Sequence, residues 1–144
     1  MVTGQQLAVC GILIEDGKIL TVSRKNDHTK LGLPGGKVDR GELPQSAIIR
    51  ECFEETGMKV KINSLDSFAD NIDDFYVICY SLIREDFTVE ETGIEETGKV
   101  EFVEIKKLLD SSPFAEYNKK AFEYFGIKVW VYQIHGESLE FNHC

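Results

Sequence analysis

Pro44 and Gly57 bracket the stretch PQSAIIRECFEET, which has few alternatives to a helix. A proline fits a first helical position, where the missing N–H costs nothing. A glycine fits just past the end, where a left-handed cap is wanted. Successive helical residues rotate by about 100°. Glu54 and Glu55 lie three and four positions after Glu51 and therefore share its side of the helix. Ile49, Cys52, Phe53 and Thr56 are expected on the opposite side, against a core. Like charges at this spacing cost about 0.2–0.5 kcal/mol per pair. Three carboxylates on one side therefore call for a compensating cation, and hard oxygen ligands suit Mg²⁺ or Mn²⁺.

The same helix belongs to a longer pattern. Gly36 to Met58 reads GKVDRGELPQSAIIRECFEETGM, or G-x5-E-x7-R-E-x-x-E-E-x-G. Its fixed positions are Gly36, Glu42, Arg50, Glu51, Glu54, Glu55 and Gly57, and the turn Pro34-Gly35-Gly36 leads into it. A solvated acidic helix face is the plain alternative. A chance match to all these positions is on the order of 10⁻⁵ or less, which favours a site.

This run resembles the signature box of the Nudix hydrolases, of the MutT-like kind. Every charged and glycine position of that box is present. Cys52 stands where the family usually has an aliphatic residue, and a buried cysteine packs as a small hydrophobe. The similarity is wider than the box and covers roughly Gln6 to Phe125. It implies an α/β fold, a mixed β-sheet between helices in an α/β/α sandwich, filling one domain over residues 1–144. It also implies metal-dependent hydrolysis of a nucleoside diphosphate linked to another group, nucleoside triphosphates first. Water attacks one phosphorus and the bridging P–O bond breaks. Glu51, Glu54 and Glu55 would hold Mg²⁺ or Mn²⁺, with the Gly36 carbonyl as a further ligand and Glu42 supporting a second ion. Arg50 would orient Glu51. The general base is either Glu51 or a loop glutamate. Glu96 is the loop candidate, with Glu95 as its rival, and Glu96 would then also stand near the metal. A second class stays open, a Nudix-fold module that senses a nucleotide without cutting it, although such modules usually have eroded boxes.

Substrate contacts are carried by the resemblance alone. Arg24 follows the second strand, where MutT-like proteins place a basic residue near the phosphates. Asn118 sits on the last helix about where they read a purine edge. Tyr76 and Tyr80 lie on a strand that should border the pocket, so either could stack on a base. A tyrosine near Tyr76 also occurs in diadenosine-polyphosphate hydrolases. The proline that often follows the box in ADP-ribose hydrolases is missing, with Ile72, Asp73 and Asp74 in that region. His28, His135 and His143 form no cluster.

A chain of 144 residues suits one domain with a proper core. Its net charge of −9 argues against a stable nucleic-acid complex or a membrane surface. Polyanionic substrates would then need bound metal to reverse the local sign. Cys10, Cys52, Cys79 and Cys144 form no Cys-x-x-Cys pair and read as reduced thiols, the expectation for a cytoplasmic protein. The start MVTGQQLAVCGILIED lacks the flanks of a secretory signal, and no apolar run is long enough to span a membrane.

Strands are expected over Leu7–Ile14 and Lys18–Ser23, joined at Asp16-Gly17. A polar loop is expected over Arg24–Lys30, and an acidic turn over Asp70–Asp74. Met58–Phe68, Phe75–Ile83 and Val100–Val103 read as strands, with a loop over Glu85–Gly98. Pro113–Phe125 has a helical period. The tail, residues 127–144, reads as a hairpin that either extends the sheet or pairs with a second subunit as a homodimer.

Overall fold

A computed structural model describes residues 6–85, 98–132 and 138–141, the last strand and 129–132 by their backbone alone. Strand β1 (Gln6–Glu15) turns back into β2 (Lys18–Arg24) through Asp16 and Gly17. Both turn residues have positive φ, 52° and 76°, the backbone that a two-residue hairpin of matching twist needs. The register is Ile14↔Ile19 and Glu15↔Lys18.

The two strands then diverge. β1 runs parallel to β6 (Phe75–Arg84), from Gln6↔Phe75 to Leu13↔Leu82, and antiparallel to the short β4 (Gly35–Lys37). β5 (Val60–Ile72) pairs antiparallel with β6 on its far side. β2 lies between β3 (Asp27–Gly32) and β7 (Val100–Val103). The sheet order is β3-β2-β1-β6-β5, with β4 on β1 and β7 on β2.

Side chains alternate across a strand, so one strand can serve two cores. Val9 and Leu13 of β1 pack with Tyr80 and Leu82 of β6 beneath helix α1 (Pro44–Thr56), which contributes Ala47, Ile48 and Cys52. Cys10 and Ile12 face the other way, with Val77 and Cys79. There they meet α2 (Ile105–Ser111) and α3 (Ala115–Tyr124) through Leu108, Tyr117, Ala121 and Phe122. The result is the α/β/α sandwich with a mixed sheet. Helix α1 sits so close that a Cβ on Gly11 would stand 2.3 Å from Leu82 Cδ1 and 3.3 Å from Ile48 Cδ1.

Several expectations need correction. Residues 27–32 form a strand, where a polar loop over Arg24–Lys30 is expected. β3 is an edge strand with a single buried side chain, Leu31, so it carries no apolar alternation. The acidic turn contracts to Asp73 and Asp74, with Asp73 at φ 51° and β5 running to Ile72. Residues 105–111 form a further helix, in a stretch to which the sequence assigns no element. The tail forms a hairpin, β8 (Val129–Tyr132) with β9 (Ser138–Phe141), registered Val129↔Phe141 and Tyr132↔Ser138. It makes its own two-stranded sheet and does not extend the main one.

The inner side of α1 keeps the expected Cys52 and Thr56 but takes Ile48 in place of Ile49. Ala47 and Ile48 are fully buried, whereas Ile49 is 39% exposed. Replacing Ile48 by alanine should therefore cost about 2–5 kcal/mol through lost burial and a residual cavity. Ile49→Ala should stay within about 1 kcal/mol. Urea unfolding of both variants checks this, and equal losses would contradict the observed rotation of the helix.

Candidate active site

Helix α1 starts at Pro44 and ends at Gly57, whose φ of 76° lets its N–H reach the Phe53 carbonyl at 2.8 Å. Thr56 secures the last turn: its hydroxyl donates to the Cys52 carbonyl at 2.6 Å and accepts the Met58 N–H at 3.1 Å. With Ala47, Ile48, Cys52 and Thr56 buried, the helix turns Arg50, Glu51, Glu54 and Glu55 away from that core.

Arg50 is the centre of this cluster. Its Nε and Nη2 donate to the two oxygens of Glu42, at 2.8 and 3.0 Å. Nη1 donates to Glu51 Oε1 at 2.8 Å and to Glu54 Oε1 at 2.9 Å. Nη2 also reaches the Lys37 carbonyl at 3.2 Å and stands 3.5 Å from Asp39 Oδ2. The bidentate geometry on Glu42 is the fork that a guanidinium provides and an ammonium cannot. Glu42 also accepts the Asp39 N–H at 3.0 Å. The Arg50 hydrogen bonds, helped by that N–H, hold the Glu42 carboxyl down at about 2. The guanidinium in turn is held still more firmly protonated, chiefly by Glu42.

The remaining glutamates differ in depth. Glu54 is exposed. Glu51 lies against the glycine turn, where a Cβ on Gly36 would stand 2.4 Å from its Oε2. Burial raises the Glu51 carboxyl above its ordinary value, against the lowering pull of Arg50. Glu55 reaches deeper and accepts the Gly35 N–H at 2.7 Å. Burial pushes it up to about 7, the neighbouring charges of Glu51 and Glu54 add to the shift, and the Gly35 hydrogen bond opposes it. Gly35 itself has no room for a side chain, since a Cβ there would meet the Val9 carbonyl at 2.1 Å.

The donor set suits a hard divalent cation. Every candidate ligand is an oxygen, and burial holds the Glu55 and Glu51 carboxyls above their ordinary values. Among the described residues, however, no three acidic, histidine or cysteine side chains stand together as a ready metal cage. The reason is visible: Arg50 holds Glu42, Glu51 and Glu54, and Glu55 turns to Gly35. The shared acidic face is therefore a guanidinium cluster as it stands, in which Arg50 takes one oxygen each of Glu51 and Glu54.

Beside the glycine turn lies a cavity of ≈ 290 Å³. Gly35, Gly36 and Lys37 lie on its lining, as do Phe75, Val77, Ser112, Phe114, Tyr117 and Asn118 among others. Lys37 stands 5.7 Å over the Phe75 ring. Asn118 is only 3% exposed and borders the cavity. Tyr80 does not border it. It is buried beneath α1 on the other side of the sheet. Tyr76 shares that strand parity and is 41% exposed. Phe75, one residue away, takes the place expected of a tyrosine. Arg24 is exposed at a bulge of β2 and lines no part of the cavity. Glu96 and Glu95 lie outside the described residues.

Sequence reading missed Phe75, Lys37, Ser112 and Tyr117 as cavity residues. Phe75 and Val77 share a strand parity opposite to Tyr76 and Tyr80, and both sides of β6 face a core, so bulk alone does not choose between them. Ser112 carried no signal.

A mixed sheet between helices, with a glutamate-rich helix against a glycine turn, defines a class of fold. A solved UDP-X diphosphatase superposes with a TM-score of 0.69 at 22% identity, over 87% of this chain and 64% of that one. The NUDIX domain model matches residues 4–125, and the chain belongs to that family. An ADP-ribose pyrophosphatase of Methanocaldococcus jannaschii is 48% identical over 61 residues, 41% of this chain and 36% of the relative. A MutT-like protein of Streptomyces ambofaciens is 32% identical over 93 residues, 64% of this chain and 60% of the relative. The chain thus spans less than two thirds of either relative's length in these matches.

Glu55 makes the metal-free protein sensitive to pH. Its carboxyl stands near 7 when folded against an ordinary 4.5, so the folded state holds the proton more tightly. That stabilisation is fully present below about 4.5 and is lost as pH rises through about 7. In EDTA, Tm should decline over this window, and Glu55→Gln, neutral throughout, should flatten the decline. An unchanged decline in the variant would remove Glu55 as its source.

Proposed function

We propose that this chain is a divalent-metal-dependent pyrophosphohydrolase of nucleoside diphosphate-linked substrates, with nucleoside triphosphates first among them. The observation that carries the reading is the junction at β4. Gly35, Gly36 and Lys37 border an apolar cavity on one side, and on the other they meet Glu51, Glu55 and Arg50. A base held in that cavity would lay its phosphates toward the glutamates.

Glu51, Glu54 and Glu55 would hold the cation with the Gly36 carbonyl, and Glu42 would support it. Bound there, Mg²⁺ or Mn²⁺ would supply Lewis-acid polarisation of phosphate oxygens and neutralise their charge. Glu51 takes the proton of the attacking water, with Glu96 as the competing base. A new O–P bond forms, the bridging P–O bond breaks, and a nucleotide and a phosphate-bearing group leave. Arg50 holds Glu51 in place through their 2.8 Å hydrogen bond, itself braced by Glu42. Asn118 offers the cavity a polar contact for a base edge. Relatives named an ADP-ribose pyrophosphatase and an 8-oxo-dGTP diphosphatase are consistent with both nucleotide derivatives and triphosphates in the class.

One observation favours a nucleotide-sensing module as second reading: the carboxylates are engaged by Arg50 and form no ready metal cage among the described residues. Incubation with Mg²⁺ and a nucleotide panel, followed by phosphate and pyrophosphate release, separates the two. Turnover abolished by EDTA supports the hydrolase, whereas tight binding without turnover supports the sensor. Glu54→Gln removes an exposed carboxylate and no core atom, so it should abolish turnover with Tm unchanged. Activity within a few-fold of wild type at saturating Mg²⁺ would remove Glu54 from the metal site.

The base and its orienter can be tested together. Glu51→Gln should lower kcat by about 10² or more, the usual range for general-base loss. Groups acting as one unit are not additive, so Arg50→Ala/Glu51→Gln should be little worse than Glu51→Gln alone. Additive losses would make Arg50 an independent phosphate contact. A larger loss at Glu96→Gln would move the base to the loop.

A further inference from the structure

Cys10 and Cys79 stand opposite each other on neighbouring strands. β1 and β6 run parallel, and Cys10↔Cys79 is one rung of their ladder. Directly opposed residues of a parallel pair point to the same side of the sheet. Both side chains therefore lie in the core under α3, with Tyr117, Ala121 and Phe122. Both are free thiols. Cys79 is fully buried, whereas Cys10 is 9% exposed and lies on the lining of the cavity beside β4. Cys10 thus opens the pair to whatever enters that cavity.

The surroundings decide what the pair can bind. The Cys10 thiol donates to the Tyr117 hydroxyl at 3.8 Å, and that hydroxyl donates in turn to the Val77 carbonyl at 2.8 Å. The Cys10 thiol beside it, together with burial, holds the Cys79 thiol well above its ordinary range. Alone, such a protonated thiol is a poor nucleophile. A bound group that left net charge in this apolar wall would be costly. A direct disulfide fits the spacing poorly: neighbouring strands lie about 4.7–4.9 Å apart, whereas a disulfide brings its Cβ atoms to about 3.5–4.5 Å. A soft atom inserted between the sulfurs suits the gap. Two bonds of metal–thiolate length, about 2.3 Å, meeting at a tetrahedral angle span about 3.7 Å from sulfur to sulfur.

We propose that Cys10 and Cys79 form a dithiol site for trivalent arsenicals in the wall of this cavity. The proposal stands apart from the nucleotide reading. With phenylarsine oxide, each sulfur forms one S–As bond, the As–O bond breaks, and the oxygen leaves as water with the two thiol protons. Arsenic stays trivalent, so no oxidant or reductant is consumed. The adduct is neutral, as the apolar wall requires, and its soft centre matches soft sulfur ligands. Once Cys10 has formed the first bond, Cys79 is held beside the arsenic and closes the ring at high effective concentration. The cavity of ≈ 290 Å³ has room for the phenyl group, with Leu33, Ile72 and Phe75 to pack on.

The test is the intact mass of the native chain after phenylarsine oxide in excess 2-mercaptoethanol, a monothiol that strips arsenic from single cysteines. The wild type should gain one phenylarsenic group, and dithiothreitol should remove it. Cys10→Ser and Cys79→Ser should each lose this label. Cys52→Ser, beneath α1 on the other side of the sheet, should keep it. An unlabelled native wild type overturns the proposal, and so does a folded Cys10→Ser that keeps the label. Should both serine variants fail to fold, peptide mapping of the labelled wild type carries the test. Arsenic must then join the peptides of Cys10 and Cys79, and a link through Cys52 or Cys144 overturns the proposal. A label that appears only after unfolding in urea also overturns it, since any two thiols of a loose chain can meet at one arsenic.

Discussion

Arg50 ties helix α1 to the 37–42 segment through both oxygens of Glu42 and the carbonyl of Lys37. The same guanidinium takes Glu51 and Glu54 from its own helix. Without it, four glutamates would crowd one side of α1 and its approach loop in a chain that already carries a net charge of −9. Exposed ion pairs are individually weak. Here the charges form a network around one rigid fork, and Glu42 is only 17% exposed in its side chain. The fork therefore sets geometry more than stability: it fixes where the loop ends and where Glu51 stands.

That geometry depends on how α1 lies on the sheet. Gly11 leaves the space that Ile48 and Leu82 fill, and Gly36 leaves the space that Glu51 fills. Two missing side chains thus set the helix height at its apolar side and at its acidic side. Cys52, placed at 0% exposure between them, packs as a small apolar residue. Burial pushes its thiol up to about 11, so the departure from an aliphatic residue brings no reactive thiolate to the site.

The parts legible in sequence are those that a single residue type enforces. Proline at Pro44 and glycine at Gly57 bound the helix to the residue. Asp16-Gly17 marked a turn that demands positive φ twice. What stayed hidden depends on neighbours in space. β3 is a strand because β2 offers it a free edge, and its own side chains, all but Leu31, say little. On the inner side of α1 the spacing picks out Cys52 and Thr56, which are buried, but also Ile49 in place of Ile48, because a 100° wheel cannot choose between adjacent apolar residues until the sheet is in place. The same ambiguity put Tyr76 and Tyr80 at the cavity, where strand parity puts Phe75 and Val77. Of the candidate site, Arg50 gathers Glu42, Glu51 and Glu54, while Glu55 turns to Gly35. On the far cavity wall only Asn118 is indicated, by resemblance, whereas Ser112 and Tyr117 do not show themselves, because they reach it only through tertiary packing.

β4 explains why cavity and carboxylates can act on one molecule. It is three residues long, and its pairing with β1 fixes every one of them: Ala8↔Lys37, Val9↔Gly36 and Cys10↔Gly35. The Gly11 N–H donates to the Pro34 carbonyl at 3.0 Å, and the Val38 N–H to Leu7 at 2.9 Å, which pins the strand at both ends. The backbone that rims the cavity is therefore the backbone that receives Glu55 at Gly35 and Arg50 at Lys37. A strand held by a ladder on a central β-strand cannot slide by less than a full register step, which would reverse its faces. The distance from the cavity to the carboxylates is thus built into the sheet, while the opposite cavity wall, from Ser112 to Asn118, comes from elements that do not carry the acids.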